Sequence, residues 1–203
     1  MLIRKLNIDD AKNFSDLIVN MYSNLENLEW FSPMPYDIDN VKSIIENPRF
    51  YIIGAFENND LIAVTSIDFK CGKLIGKIDF PAECDTTKLV EFGFTMVHSN
   101  HRGKGIMKVL VQELITYAKQ RGYEWAFGKV NKSNLASYNS LLRKCFYKHC
   151  DYTKPIKIDE FITLSNQDFF SKIGKQNAKQ TLAKYDKNDT EIYADYHILM
   201  KKL

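Results

Sequence analysis

The residues Asn100-His101-Arg102-Gly103-Lys104-Gly105 have types and spacing suited to chemistry. Two glycines alternate with two cations, so the backbone is free to take positive φ and approach a ligand closely, while Arg102 and Lys104 add positive charge. The stretch lies between an apolar run, Leu89 to Val97, and an amphipathic one, Ile106 to Arg121. A helix entered through such a loop presents unpaired N–H groups and the positive end of its dipole at one point. The chemistry expected there is the binding of phosphate. A plain tight turn is the other reading of the two glycines, and a solvated face the other reading of the two cations.

The elements that must position this loop follow from periodicity. Leu89 to Val97 predicts a strand. Ile106 to Arg121 predicts a helix with Ile106, Leu110, Leu114 and Tyr117 on one ridge, stopped by Gly122. The run Glu124 to Val130 predicts the next strand, parallel to the first because a helix joins them. Upstream, Leu2 to Leu6 predicts a short strand, and Ala11 to Leu25 a helix capped by Asn7 or Asp9. A second, shorter helix, capped by Asp37 or Asp39, must end at Pro48. Two β-rich runs, Phe50 to Phe56 and Leu61 to Phe69, are separated by the four polar turn residues 57–60 and predict an antiparallel hairpin. Residues 70–88 predict a strand extension and a loop, either a solvated connector or a loop that shapes substrate choice. Downstream come a polar loop at 131–134, a helix over Leu135 to Phe146, strand candidates through Tyr147 to Leu164, a helix at 165–186 and a last strand from Glu191. The order β α α β β β α β α β α β predicts an α/β or α+β sheet covered by helices.

Length and composition set limits. A chain of 203 residues is long enough for one domain with a real core, and 45% hydrophobic with 26% charged residues is ordinary for a soluble protein. No apolar run approaches the ~20 residues of a membrane span. The N-terminal MLIRKLNIDDAKNF lacks the apolar core of a secretory signal, which gives a cytoplasmic expectation. A net charge of +3 with dispersed lysines argues against nucleic acid as partner. The four cysteines, Cys71, Cys84, Cys145 and Cys150, lack the paired spacing of metal or redox sites and read as free thiols.

The order strand, then V-x-x-x-H-R-G-K-G-I, then a helix ending in Ala-Lys-x-x-Gly-Tyr, then strand, then N-x-x-S before a short helix ending near Phe, resembles the GNAT superfamily of acyl-CoA-dependent N-acetyltransferases. The resemblance is sharpest over Glu91 to Phe146. It implies a single GNAT-like domain over residues 1–203, a mixed, mostly antiparallel twisted sheet flanked by helices, with 165–186 as a helical insertion before the last strand. The family's phosphate loop, Gln/Arg-x-x-Gly-x-Gly/Ala, aligns here on residues 100–105 with Asn100 departing at its first position. The resemblance implies acetyl-CoA as co-substrate, held by Arg102, Gly103, Lys104, Gly105 and Ile106 at its pyrophosphate, by main-chain groups of Met96 and Val97 along its pantetheine arm, and by Asn134 and Ser137.

The implied reaction is direct attack of a primary amine on the thioester in a ternary complex. Because such an amine has a pKa near ~10.4, a base must take its proton at neutral pH. Glu91 is the candidate base, with a surface carboxylate as the other reading. Many family members carry a proton-donating tyrosine seven residues after the asparagine. Counted from Asn134, that position is Leu141, which has no proton to give. Tyr138, one helical turn earlier, is the candidate substitute, with core packing as its other reading. The acceptor is expected to be a small-molecule or peptide amine, and the open edge of a late strand offers a route to a homodimer. A CoA-binding sensor or partner-binding module that has lost turnover is the alternative function.

Overall fold

The computed structural model describes residues 1–24, 30–31, 34–71, 74–157 and 191–203, with side chains undescribed at 154–157 and 191–193. Strands are β1 (Leu2–Lys5), β2 (Phe50–Glu57), β3 (Asp60–Asp68), β4 (Leu89–Val97), β5 (Trp125–Asn131), β6 (Tyr147–Lys157) and β7 (Glu191–Lys202). Helices are α1 (Ala11–Ser23), α2 (Ile38–Glu46), α3 (Ile106–Gln120) and α4 (Leu135–Leu142). The sheet runs β1-β2-β3-β4-β5-β7-β6, antiparallel except for the β4–β5 pair. The mixed, mostly antiparallel sheet expected from the sequence is therefore present. The helix expected at 165–186, and the strand candidates beyond 157, lie outside the described residues.

Local chemistry sets the boundaries. Asn7 caps the 3-10 turn Ile8–Asp10 that leads into α1, and Asp10 returns the bond to the Asn7 N–H at 2.9 Å. Asp37 caps α2. The hairpin turn is tighter than the four residues expected: Glu57 pairs with Asp60, leaving Asn58 and Asn59 at φ 51° and 71°. Asparagine tolerates that left-handed pair better than most side chains, and its twist matches the strands.

Alternation along the strands sorts two core layers. On one face α1 and α2 set Phe14, Leu17, Ile18, Met21 and Val41 against Ile52, Val64 and Met96. On the other, α3 sets Leu110, Val111, Leu114 and Ala118 against Ile67, Val90, Phe92 and Ala126. Residues 70–88 form no named strand among those described, contrary to the expected extension. Most of the segment's described residues are exposed, as in a solvated connector, but Cys71, Leu74 and Cys84 are buried against Leu89, Trp125 and Phe127. Burying these side chains seals the part of the sheet that α1 and α2 do not reach.

Candidate active site

The expected phosphate loop is a backbone cradle. After β4 a 3-10 turn (Ser99–His101) leads to Gly103 at φ 76° and Gly105 at φ 77°, and α3 begins at Ile106. Among the described residues, the N–H groups of Gly103, Lys104, Gly105, Ile106 and Met107 donate to nothing. Five successive unpaired donors, the first three on exposed residues, lie at the positive end of a 15-residue helix and form a site for a polyanion. The Lys104 side chain is exposed beside them. Arg102 is exposed too, but its guanidinium donates to the main-chain carbonyls of Val97 (3.4 Å) and Asn24 (3.0 Å). It ties the loop to α1, as does Asn20, whose Oδ1 accepts from the Ser99 N–H at 2.9 Å. Ile106 offers only its backbone, for its side chain is in the α3 core layer.

Beside the loop the sheet opens. The parallel pairing of β4 and β5 spans only Leu89–Phe92 and Trp125–Gly128, although both strands continue. From Gly93 onward the β5-facing edge of β4 has no strand partner among the described residues, and Met96 and Val97 lie on that stretch. On its other side β4 bulges, so that Gly93 and Phe94 together oppose Ser66 of β3. A Cβ on Gly93 would lie 2.5 Å from Ser66 Oγ, which explains the glycine.

Glu91 sits just before the strands part. It is buried rather than at the surface, 5% exposed, with Oε1 2.7 Å from Lys129 Nζ and no partner for Oε2 among the described residues. Its cross-strand neighbour Asp68 is buried as well, but Arg49 Nε (2.8 Å) and Nη2 grip both of its oxygens. Burial pushes the Glu91 carboxyl above its ordinary range, and the Lys129 ammonium opposes that shift. The two adjacent carboxylates thus differ in one respect: Glu91 alone keeps an oxygen free to accept a proton.

Asn134 is the N-cap of α4, its Oδ1 accepting from the Ser137 N–H at 3.1 Å, and Ser137 is partly exposed. The Tyr138 ring lies 5.0 Å from that of His197, and its hydroxyl has no hydrogen bond among the described residues. Leu141 is buried at 5% exposure and packs over Gly128. It is also the anchor of the helix end. Phe146 N–H donates to Leu141 O (3.3 Å) and Cys145 N–H to Leu142 O (2.9 Å), with Cys145 at φ 62°. That is a Schellman closure, whose usual apolar contact is supplied by Leu141 and Phe146. The helix expected to reach Phe146 therefore ends at Leu142.

Residues 16–147 match the model of the Acetyltransferase (GNAT) family. The chain belongs to that family. Among solved structures, an N-acetyltransferase from Staphylococcus aureus Mu50 is similar at 18% identity and TM-score 0.65, covering 99% of this chain and 97% of the other. A ribosomal-protein-alanine N-acetyltransferase from Brucella melitensis is similar at 17% identity and TM-score 0.65, with 100% of both chains covered. The protein yncA from Salmonella typhimurium, solved with its cofactor acetyl-CoA, is similar at 16% identity and TM-score 0.64, with 100% of this chain and 94% of the other covered. No curated protein sequence matches.

Within this GNAT fold the free amides are centred two residues later than the alignment on 100–105. The pattern Gln/Arg-x-x-Gly-x-Gly/Ala also fits Arg102 to Met107, with Arg in first place, Gly105 as the helix N-cap and Met107 as the departure. Counting alone could not separate these registers, because the glycines alternate. The start of α3 favours the second, and it adds the Met107 N–H, which sequence reasoning missed. Lys129 and Asp68 were also missed, for only the order of the strands sets them beside Glu91, and so was Arg49, which grips Asp68. A separate cavity of about 300 Å³ lies behind the loop, lined by Asp16, Glu57, Asp60, His98 and His101. Its three carboxylates repel phosphate. Among the described residues no helix is long and apolar enough to cross a membrane.

Proposed function

We propose that this GNAT protein transfers an acetyl group from acetyl-CoA to a primary amine by direct attack in a ternary complex. The observation that carries the reading is the run of five unpartnered N–H groups from Gly103 to Met107 at the mouth of the β4–β5 opening. Those donors and the exposed Lys104 suit a pyrophosphate, and the free edge of β4 at Met96 and Val97 suits an amide-bearing arm that adds to it like a strand. Asn134 and Ser137 stand at the start of α4 to take polar groups of the same arm. Acetyl-CoA supplies an activated thioester carbonyl.

The chain supplies the rest. Glu91 Oε2 takes the ammonium proton, the neutral nitrogen bonds to the carbonyl carbon, and the carbon–sulfur bond breaks as the nitrogen, now positively charged, gives up its second proton to solvent to leave the amide. Sulfur leaves with the bonding electrons and is protonated to the free thiol. Leu141 cannot give that proton; the Tyr138 hydroxyl, without a hydrogen bond among the described residues, is the donor on this chain, with solvent as the alternative source. The acceptor is a small-molecule or peptide amine.

Incubation with acetyl-CoA and a panel of polyamines, aminoglycosides and peptides, read by thiol release, tests the reading. Release with at least one amine supports it. A CoA-induced thermal shift without release from any amine supports instead a CoA-binding module without turnover, the reading that Leu141 favours. Neither shift nor release removes both.

A further inference from the structure

Two ion pairs cross three strands next to the site, and they are not equivalent. Arg49 closes on both oxygens of Asp68, which also accepts from the Lys70 N–H at 2.9 Å. Lys129 touches only one oxygen of Glu91. Lys129 is the first residue of β5 after its pairing with β4 ends. Its side chain is 33% exposed, whereas that of Glu91 is 6% exposed. The lysine therefore reaches from the wet side of the opening to a carboxylate on the dry side.

We propose that Lys129 is the positioning residue that makes Glu91 usable as a base, clamping Oε1 and leaving Oε2 as the free acceptor at the point where β4 and β5 part. The inference rests on the assignment of Glu91 as the base. A buried carboxylate with an unpaired oxygen would otherwise turn or stay protonated. The groups that face Glu91 account for its charge state. Lys129 from β5 and Arg49 before β2 favour the ionised form, while burial and Asp68 from β3 oppose it. Cys71, also nearby, is a thiol pushed up to about 12. It stays neutral and directs its S–H to Leu89 O at 3.0 Å. Lys129 is thus the only cation in direct contact with Glu91 among the described residues.

The test joins a site-specific titration to kinetics. In protein labelled with ¹³C at the glutamate carboxyls, the Glu91 resonance is identified by its loss in Glu91→Gln, then followed against pH. Lys129→Met is expected to raise its midpoint by about one to three units, and Lys129→Arg to leave it near wild type. With the best amine of the panel, the acid limb of the kcat/KM profile should move up by the same amount in Lys129→Met. Activity should return at high pH, and KM for acetyl-CoA should stay unchanged. Lys129→Gln, which keeps a donor without the charge, serves if Lys129→Met does not fold. A purely structural lysine would lower activity evenly without moving the limb. An unmoved Glu91 midpoint overturns the proposal while leaving Glu91 as base. A moved midpoint with an unmoved limb overturns both roles but leaves the transferase reading intact. If no amine is turned over, the proposal falls with the transferase reading.

Discussion

Replacing Gly103 with valine separates loop geometry from fold. A Cβ at Gly103 would meet no atom within 4 Å, so the position opens onto free space. What valine brings is backbone strain: at φ 76° an L-residue loses about 1–2 kcal/mol, and a β-branched one more. The loop is exposed and uncommitted to the core, so it relieves that strain by turning to negative φ. The cost to folding is then at most about 1–2 kcal/mol, or a few degrees in Tm for a chain of this size. Binding suffers more, because the turn scatters the amides that converge between Gly103 and Met107. Losing two charge-assisted bonds at about 1.5–3 kcal/mol each amounts to about 3–6 kcal/mol, and so a roughly 10²- to 10⁴-fold weaker Kd for CoA. Calorimetry with CoA measures this, and pantetheine, which lacks the pyrophosphate, is the control whose binding should not change. If valine leaves the Kd for CoA within about threefold of wild type while Tm holds, the pyrophosphate is held elsewhere and the reasoning fails.

Cys145→Gly should stabilise the protein. The exposed thiol makes no contact the helix end needs, and relief of the φ 62° strain, about 1–2 kcal/mol, exceeds the ~0.4–1 kcal/mol of added unfolded-state freedom. Tm measured by calorimetry should rise by about 1–4 °C, and a fall would contradict the Schellman assignment. Glu91→Gln should show stability and activity moving apart. Because the folded pKa of Glu91 is raised, the native state keeps its proton where the unfolded chain has lost it. Stability then declines as pH rises from the unfolded value of about 4.3 through the raised folded one. Gln removes that cost, and Lys129 can return to water. Thermal melts should find Glu91→Gln at least as stable as wild type at pH 7, with the difference vanishing near pH 4, while the rate drops by about 10²- to 10⁴-fold. A clear loss of Tm at pH 7 would mean that the ion pair stabilises the fold.

The parts of the site that local pattern dictates were legible in the sequence. Leu89 to Val97, Ile106 as the helix start and Gly122 as its stop follow from alternation, helical spacing and a glycine whose φ is 81°. The parts made by pairing distant segments were not. A glutamate in an apolar strand reads as a surface residue until Asp68 and Lys129 are set beside it by the register of three strands. Residues 70–88 contain too many glycines and charges to look like a cover for Trp125 and Phe127, yet three well-placed apolar side chains suffice. Nor could order along the chain reveal that β7 lies between β5 and β6. That arrangement brings His197 against Tyr138.

Leu141 tests how much the chemistry requires of each end of the reaction. A thiol has a pKa near ~8.5 and an alkylamine one near ~10.4. At pH 7 the departing sulfur is therefore within about 1.5 units of equal thiol and thiolate, and water can deliver its proton after the bond breaks. The amine, by contrast, is about 3.4 units below its pKa, so fewer than roughly one molecule in a thousand is ready to attack. In the proposed reaction an acid at position 141 would relieve the smaller barrier, whereas Glu91 acting as the base would address the larger. Leu141 is given over to closing α4 against Gly128 and Phe146. Glu91 is held buried, next to a locked carboxylate and against a single lysine, at an energetic cost that packing alone does not explain.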